Sequence, residues 1–140
     1  MEYTLVLIKP DVVKKNSIGV VLDKYEKAGL KVEALKMLRM TEELASKHYV
    51  EHIGKPYYEK LVAFMISSPL VALVLSGDDA IKKVRKINGA TNPINAEPDT
   101  IRAQFATDST LNAVHASDSI DNANREIALF FLPQELMYNK

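Results

Sequence analysis

The sequence contains no cysteine, and this absence excludes several kinds of chemistry. Without thiols the chain cannot form disulfides, use a thiolate nucleophile or build a cysteine-based metal site. A chain of this kind suits the reducing cytosol. The first apolar run, Leu-Val-Leu-Ile at residues 5–8, is far too short for a signal peptide or a membrane span. We therefore expect a soluble, cytoplasmic protein with no membrane partner.

The chain also lacks a net charge and a glycine-rich phosphate loop. Lysine plus arginine and aspartate plus glutamate both number 18, so no basic field calls for nucleic acid as a partner. The five glycines form neither a Walker pattern nor a dinucleotide-binding fingerprint. Any phosphorylated ligand must therefore be held by side chains. The candidate cations are Lys9, Arg85 and Arg102, each of which lies next to turn signals.

The composition is that of one globular domain spanning residues 1–140, with 47% hydrophobic and 26% charged residues. Strands are predicted at residues 3–8, 30–40, 70–75 and 113–115. Six helices are predicted from capping residues and apolar spacing. The first is capped by Asn16 or Ser17 and extends to Gly29, the second runs from Thr41 towards Gly54, and the third from Pro56 to Pro69. The others lie at residues 79–88, at residues 100–105 with Asp99 as N-cap, and from Ile120 onwards. Residues 89–111 are otherwise a long irregular loop.

This alternation of strands and helices predicts an α/β (α+β) fold. The arrangement that it favours is a ferredoxin-like sandwich, with a four-stranded antiparallel sheet and helices on one face. A doubly wound parallel sheet is the alternative. It is less favoured because residues 30–40 form a long, loosely alternating strand, which is typical of a half-buried rather than a fully buried position.

The most informative segment is Asn-Ala-Val-His-Ala-Ser-Asp-Ser at residues 112–119. His115 follows a short apolar stretch and precedes Ser117-Asp118-Ser119, a strong signal for the start of a helix. Glu126 lies further along that helix, at the edge of its apolar face. A histidine, a hydroxyl and a carboxylate in this order are the parts of an oriented nucleophile or proton carrier. The alternatives are a buried structural histidine and a solvated Glu126 paired with Arg125.

Motifs along essentially the whole chain resemble those of nucleoside diphosphate kinases. They are Lys9-Pro10-Asp11, His48-Tyr49, Lys55-Pro56-Tyr57-Tyr58, Gly89-Ala90-Thr91-Asn92-Pro93, Thr100-Ile101-Arg102, the octet around His115, and Phe131-Leu132-Pro133-Gln134-Glu135-Leu136. The resemblance implies a ferredoxin-like fold in a homo-oligomer, either a tetramer or a hexamer. It also implies transfer of the γ-phosphate from ATP or another nucleoside triphosphate to a nucleoside diphosphate, through a phosphohistidine.

The same resemblance implies a role for individual residues. His115 resembles the nucleophile, and Glu126 and Ser117 resemble the pair that orients its ring. Lys9 and Tyr49 correspond to groups at the transferring phosphoryl, and Arg85, Thr91 and Arg102 to a clamp on the outer phosphates. Asn112 resembles a ribose and phosphate contact, and Tyr57 and Leu61 a slot in which the base stacks. Magnesium is expected to be carried mainly by the nucleotide phosphates, with Asp118 in reach through water and no dedicated protein ligand.

The chain departs from the usual pattern of this family at several positions. Tyr57 and Tyr58 stand where phenylalanine is common, and Ala116 and Asp99 stand where glycine is frequent. Alanine suffices at position 116 if its φ is negative. The sequence Ser-Thr-Leu at residues 109–111 lacks the Gly-Arg that often precedes the active-site asparagine. This change affects the expected wall of the base site rather than the chemistry at the histidine.

Two other functions compete with the kinase. The segment from His48 to His52 matches an H-x-x-E-H zinc-protease pattern, with Glu51 as general base. The sequence offers no convincing third zinc ligand on a second helix. The other competitor is a non-catalytic ferredoxin-like module that senses nucleotides or binds RNA. The zero net charge and the set of cations described above disfavour it.

Overall fold

The computed structural model describes residues 1–138. Its strands are β1 (Glu2–Ile8), β2 (Lys31–Leu38), β3 (Leu70–Gly77) and β4 (Val114–Ala116). Its helices are α1 (Pro10–Lys14), α2 (Ile18–Lys27), α3 (Glu42–His48), α4 (Tyr58–Ile66), α5 (Ala80–Asn88), α6 (Ile101–Phe105) and α7 (Ile120–Phe130). Short 3₁₀ turns lie at Val50–His52, Pro93–Asn95 and Pro133–Glu135. Within the described range, no helix is both long and apolar enough to cross a membrane.

The strands form one antiparallel sheet in the order β2-β3-β1-β4. β1 is central, and its Leu7 pairs with Ala72 of β3 on one side and with His115 of β4 on the other. This topology confirms the predicted four-stranded antiparallel sheet of the ferredoxin-like α+β class. Because the described sheet contains no parallel pair, it excludes the doubly wound alternative.

Helices cover both faces of the sheet, whereas the sequence predicted helices on one face. Leu5 and Leu7 of β1 pack with α3, α4 and α7, while Val6 and Ile8 pack with α1, α2, α5 and α6. Successive strand residues point to opposite faces, so an unbroken apolar run indicates burial on both sides. The one-face expectation came from the order of strands and helices, which does not say to which face each helix packs. The strand at residues 30–40, which counted against the parallel alternative, is the edge strand β2. That strand is half exposed and does not represent the centre of the sheet.

Several element boundaries differ from those predicted. The helix expected to run from Thr41 towards Gly54 ends at His48 and continues as a 3₁₀ turn. The next helix begins at Tyr58 rather than Pro56. α1 was not predicted, although Pro10 at its first position is a favourable start. Its five residues are too few to show a periodic apolar pattern.

The N-cap of α6 and the start of β4 also differ from the prediction. Thr100 caps α6 by accepting a hydrogen bond from the backbone N–H of Ala103 (3.3 Å), so Asp99 is not the cap. β4 begins at Val114 rather than Ala113, because Ala113 has a φ of 75° and cannot lie in a regular strand. This turn immediately precedes the strand that carries His115.

Candidate active site

A cleft of about 500 Å³ opens between β4, α7, the segment from α3 to α4, and the loop before β4. Every residue given a role in phosphoryl transfer or nucleotide binding lines this cleft except Ser117, which lies buried behind Glu126. The lining residues among them are Lys9, Tyr49, Tyr57, Leu61, Arg85, Thr91, Arg102, Asn112, His115 and Glu126. The fold therefore gathers side chains that are spread over almost 120 positions of the sequence, from Lys9 to Glu126.

His115 is held by its pairing in the sheet and by one hydrogen bond. Because His115 pairs with Leu7, its side chain lies on the face that α3 and α7 cover. Its Nε2 is 3.0 Å from Oε2 of Glu126, and 22% of the side chain remains exposed. An ionised carboxylate only accepts hydrogen bonds, so we assign the proton to Nε2. Nδ1 then carries the free lone pair of the neutral ring.

Glu126 points inward because it belongs to the buried stripe of α7, with Ala123, Ile127 and Phe130. Its Oε1 accepts a 2.6 Å hydrogen bond from Oγ of Ser117. Burial by itself raises the pKa of Glu126. The hydrogen bond and charge of His115 and the hydrogen bond of Ser117 lower the pKa by more than burial raises it, so the net shift is downward. The carboxylate thus stays ionised and fixed on both oxygens.

The helix that carries Glu126, α7, is capped at its N-terminus by Ser119. Oγ of Ser119 accepts a hydrogen bond from the backbone N–H of Asn122 at 3.1 Å. Asp118 instead accepts from the side-chain amide of Asn122 at 2.6 Å, and this bond is the main cause of its lowered pKa. The predicted helix start is therefore correct as a segment, and Ser119 is the residue that caps it.

His48, at the end of α3, lies on the inner wall of the cleft beside His115. Its ring lies edge-on to that of His115, with centroids 4.6 Å apart. Its Nδ1 is 3.7 Å from Oε2 of Glu126, and neither ring nitrogen has a hydrogen-bond partner within residues 1–138. Burial, reinforced by nearby positive charges, lowers the pKa of His48 to about 2. The imidazole is consequently neutral.

Lys9 and Asn112 connect the end of β1 to the loop before β4. Nζ of Lys9 donates a 2.7 Å hydrogen bond to Oδ1 of Asn112. Burial, together with the charge of Arg102, lowers the pKa of Lys9 to about 8. The lysine is still mainly protonated at neutral pH, so it brings a poorly hydrated positive charge to the cleft.

A tight turn at Ala113 sets the position of β4. The backbone N–H of Val114 donates to the carbonyl of Asn112 at 2.8 Å, which closes a γ-turn around Ala113. Both backbone polar groups of Ala113 are hydrogen-bonded. Its N–H donates to the carboxylate of Asp11 (2.9 Å), and its carbonyl accepts from the backbone N–H of Lys9 (2.9 Å). Asp11 received no role from the sequence. The position of this carboxylate, directly after Lys9-Pro10, does not indicate a structural role, because the turn that it supports is about 100 residues away in the sequence.

Arg102 connects the turn at Ala113 to the end of α5 through hydrogen bonds to three carbonyl groups. It donates from Nε to Asn112 (3.3 Å), from Nη1 to Gly89 (2.7 Å) and from Nη2 to Val114 (2.8 Å). Burial lowers its pKa, but an arginine remains charged. Two of its five N–H groups remain to bind a ligand. The residue thus braces the loop as well as lining the cleft.

The remaining predicted phosphate contacts lie at the outer rim. Arg85, near the end of α5, is exposed and makes no side-chain hydrogen bond or ion pair within the described part of the chain. Thr91 is also exposed, and its carbonyl accepts a long 3.5 Å contact from the amide of Asn112. Both side chains are therefore accessible to a ligand.

Tyr57 and Leu61 lie one helical turn apart on the opposite wall. The hydroxyl of Tyr57 bonds Nδ1 of His52 at 2.5 Å, and 43% of Tyr57 is exposed. The second tyrosine of the wall, Tyr49, is buried, and its hydroxyl lacks a hydrogen-bond partner within residues 1–138. Burial raises the pKa of Tyr49, so it remains a neutral hydroxyl donor.

The departures from the usual family pattern are accommodated locally. Ser109 and Thr110 line the cleft, and the segment is held by Oδ1 of Asp108, which accepts from the N–H groups of Thr110 (2.7 Å) and Leu111 (2.8 Å). Ala116 is not among the described non-glycine residues with positive φ, so alanine fits there.

The zinc-protease pattern does not assemble. It requires both histidines on one continuous helix, but α3 ends at His48. His52 follows in a 3₁₀ turn, where it bonds Tyr57. The one group of three metal-ligating side chains among residues 1–138 is His48, His115 and Glu126, which includes neither His52 nor Glu51.

These features define a phosphotransferase of the ferredoxin-like class, in which a carboxylate-oriented histidine meets converging cations. The family model described as nucleoside diphosphate kinase matches residues 2–136. Nucleoside diphosphate kinases from Listeria monocytogenes and Clostridium perfringens are 50% and 53% identical to this chain. These alignments cover 98% and 94% of the chain and 93% and 92% of the relatives.

Solved structures give the same result. The Aquifex aeolicus nucleoside diphosphate kinase superposes with a TM-score of 0.94 at 46% identity, covering 96% of this chain and 98% of that one. The Halobacterium salinarum enzyme, solved in complex with CDP, gives a TM-score of 0.93 at 44% identity, covering 96% and 90%. The chain belongs to the nucleoside diphosphate kinase family. The general mechanism of this family is ping-pong phosphoryl transfer through a phosphohistidine.

Proposed function

We propose that Nδ1 of His115 is the atom that carries the phosphoryl group in this chain. The observation that supports this most directly is the 3.0 Å contact between Nε2 and Glu126, which leaves Nδ1 with the lone pair. That lone pair attacks the γ-phosphorus of a nucleoside triphosphate, the bond to the β,γ-bridging oxygen breaks, and the diphosphate leaves with its electrons. A second nucleoside diphosphate then attacks the phosphohistidine and takes the phosphoryl group.

Glu126 and Ser117 act on the nucleophile rather than on the substrate. While the phosphoryl group is attached, the ring of His115 develops positive charge, which the ionised carboxylate stabilises. Ser117 holds that carboxylate through its 2.6 Å hydrogen bond. Since Ser117 does not line the cleft, its role is to position Glu126.

The cations of the cleft supply the charge neutralisation that phosphoryl transfer requires. We assign Lys9 and the hydroxyl of Tyr49 to the transferring phosphoryl, because both line the cleft that contains His115. The ring of Tyr49 packs against that of His48 (centroids 4.4 Å apart), which in turn packs against His115. Arg85, Thr91 and the two remaining N–H groups of Arg102 bind the outer phosphates.

The nucleoside is bound by stacking and by Asn112. Tyr57 is 43% exposed and lines the cleft together with Leu61, and stacking on an aromatic ring accepts any base. We therefore expect ATP and other nucleoside tri- and diphosphates as substrates. We assign Asn112 to the ribose and phosphates. Its amide nitrogen donates to the carbonyls of Ser109 (3.1 Å) and Thr91 (3.5 Å), and the long contact to Thr91 is the one that a nucleotide oxygen would replace.

The cleft can hold Mg²⁺ only when the ion is also coordinated by the nucleotide. Glu126 is occupied by His115 and Ser117, and Asp118 is the exposed carboxylate nearest the nucleophile along the chain. Since Mg²⁺ prefers several oxygen ligands, the nucleotide phosphates and water must provide most of them, with Asp118 bound through water. When bound, the ion neutralises phosphate charge.

A homo-oligomer, a tetramer or a hexamer, is part of the proposal. Among the strands of residues 1–138, β2 pairs with β3 alone and so lies at the edge of the sheet. Leu35 and Met37 of β2 lie on the same face of the sheet as their buried partners Leu73 and Val71 of β3. Leu35 is nevertheless 49% exposed and Met37 56% exposed. We propose that a second copy of the chain covers this edge. Action as a single domain in the cytoplasm, as expected from the sequence, completes the proposal.

Radiolabelled ATP tests the phosphohistidine. Wild-type protein incubated with γ-labelled ATP should take up an acid-labile, alkali-stable label and release it to an added nucleoside diphosphate. His115→Ala should remove labelling while leaving the circular dichroism spectrum unchanged, because the side chain is partly exposed. Binding of ATP without labelling would support the non-catalytic nucleotide-binding module instead. Label on another residue would overturn the assignment of His115.

A further inference from the structure

His48 is the one buried histidine of the cleft that the proposed mechanism does not use. Its side chain has no exposed surface, and neither nitrogen has a hydrogen-bond partner among the described residues. Buried polar groups without partners are rare in folded proteins, and each calls for an explanation. A neutral imidazole in this state is a suitable ligand for a metal ion.

His48 completes a cluster of three potential metal ligands. One ligand atom each from His48, His115 and Glu126 lies within 4.8 Å of the others. Oε2 of Glu126 is 3.0 Å from Nε2 of His115 and 3.7 Å from Nδ1 of His48. Ligand atoms around a tetrahedral zinc ion are roughly 3.4 Å apart, given bonds of about 2.0–2.1 Å. The cluster therefore needs only small side-chain movements to close around such an ion.

We propose that His48, Glu126 and His115 form an inhibitory site for a zinc-class divalent cation. Two imidazoles and one carboxylate suit Zn²⁺, whereas Mg²⁺ prefers oxygen ligands alone. The hydrogen bond from Ser117 to the other oxygen of Glu126 orients the carboxylate, as outer partners do in metal sites. The partly exposed side of His115 leaves an entry path from the cleft and a fourth position for water.

Binding of the ion switches off the nucleophile through the two ring nitrogens of His115. The metal takes the lone pair at Nε2, so the proton that Nε2 carried moves to Nδ1 and the ring stays neutral. Nδ1 then holds an N–H and has no lone pair with which to attack phosphorus. This consequence rests on the proposed phosphohistidine, but the site itself does not.

Arg125 opposes the site. Its Nη2 is 3.8 Å from Oε2 of Glu126, and its positive charge repels a cation. The side chain is 36% exposed and its Nη1 bonds only the carbonyl of Lys47, so it can turn outward. We expect Arg125→Ala to bind Zn²⁺ more tightly than the wild type does.

Calorimetric titration of metal-free protein with ZnCl₂ tests the ligands. We expect one tight site per chain in the wild type, weakened at least about tenfold in His48→Gln. His52→Gln is the matched control, because His52 lies in the same cleft but outside the cluster. We expect this variant to bind Zn²⁺ with the affinity of the wild type. The proposal is overturned if the wild type has no site, if His48→Gln binds normally, or if His52→Gln loses the site.

A measurement on the wild type covers the case in which His48→Gln does not fold. The chain has three histidines, so ¹⁵N labelling of histidine gives three pairs of ring-nitrogen signals. Zn²⁺ should shift the signals of His48 and His115 and leave those of His52 in place. Shifts confined to His52, or none at all, contradict the proposal.

Labelling with γ-labelled MgATP separates this inference from the proposed function. Zn²⁺ should block uptake of the label at a concentration matching the calorimetric affinity, and a chelator should restore it. If the protein still takes up the label from MgATP when the Zn²⁺ site is filled, the ion binds but does not inhibit, and only the inhibitory role is overturned. If metal-free protein takes up no label, the phosphohistidine proposal fails, while the calorimetric and NMR results still decide the metal site.

Discussion

At the scale of single residues, the chemistry depends on which atom of each side chain is left free. Glu126 engages one nitrogen of His115, and Ser117 holds the second oxygen of Glu126. The sequence identified all three residues, because a histidine before a helix cap and a carboxylate on the apolar edge of that helix are visible as a pattern. The pattern could not say which nitrogen the carboxylate approaches, since that depends on how α7 packs on β1 and β4.

Lys9 predicts a loss of activity at alkaline pH. Burial holds its pKa at about 8, so the unliganded enzyme loses this charge at a lower pH than an exposed lysine would. We expect kcat/KM to fall with an apparent pKa of about 8, because kcat/KM reports groups of the free enzyme. Steady-state kinetics across the neutral and alkaline range measures it. Lys9→Arg is the control, and its alkaline decline should disappear because the guanidinium remains charged.

The same shift has a defined effect on stability. The folded protein releases the proton of Lys9 at about pH 8, whereas the unfolded chain keeps it to 10.5. Between these values the unfolded state binds more protons, so the contribution of Lys9 to stability rises with pH. Below pH 8 the lysine is charged in both states, and its burial is then a constant cost. A kcat/KM that stays flat well above pH 8 would contradict this account of Lys9.

At the scale of elements, α7 is the helix on which the candidate site depends. Its start at Ser119 sets the register that turns Glu126 inward beside Ala123, Ile127 and Phe130. The sequence predicted the helix from its apolar spacing and its serine-rich start. It could not choose among three adjacent capping residues, because the choice depends on backbone angles that β4 imposes.

Ser119→Ala should lower the free energy of unfolding by about 1 kcal/mol, since it removes the N-cap acceptor of α7. Denaturant unfolding measures the change, and Ser119→Asp should restore most of the stability. Thr41→Ala is a matched comparison, because Thr41 caps α3 through the same type of bond (3.1 Å). A larger loss in Asp118→Ala than in Ser119→Ala would make Asp118 the effective cap and contradict the structure.

At the scale of the whole molecule, the sheet has two buried faces, and its edge strand β2 is covered only in part, by the backbone bond from the N–H of Met137 to the carbonyl of Glu33 (3.2 Å). Its order places the edge strand β2 at the opposite end from β4, which carries His115. Edge strands with exposed apolar side chains readily pair with another chain. Association through β2 would therefore leave the cleft open to nucleotides.

Met37→Lys should weaken the proposed oligomer, because a charge would be buried between two copies at an exposed apolar position. Light scattering after size exclusion should show smaller particles for this variant, with its circular dichroism unchanged. Val50→Lys is the control, since Val50 is 52% exposed but belongs to the 3₁₀ turn that follows α3 and not to β2. If Met37→Lys keeps the size of the wild type, the β2 edge is not the interface.

The sequence by itself determined the fold class, the strands and the list of candidate side chains, because apolar periodicity, capping residues and family motifs are local properties. It did not determine the covering of both sheet faces, the turn at Ala113 with its Asp11 and Arg102 contacts, or the approach of His48 to His115. These features join residues up to about 100 positions apart, and only packing decides them. Local pattern thus specifies which groups are available, and tertiary contacts specify which atom of each group is free to react.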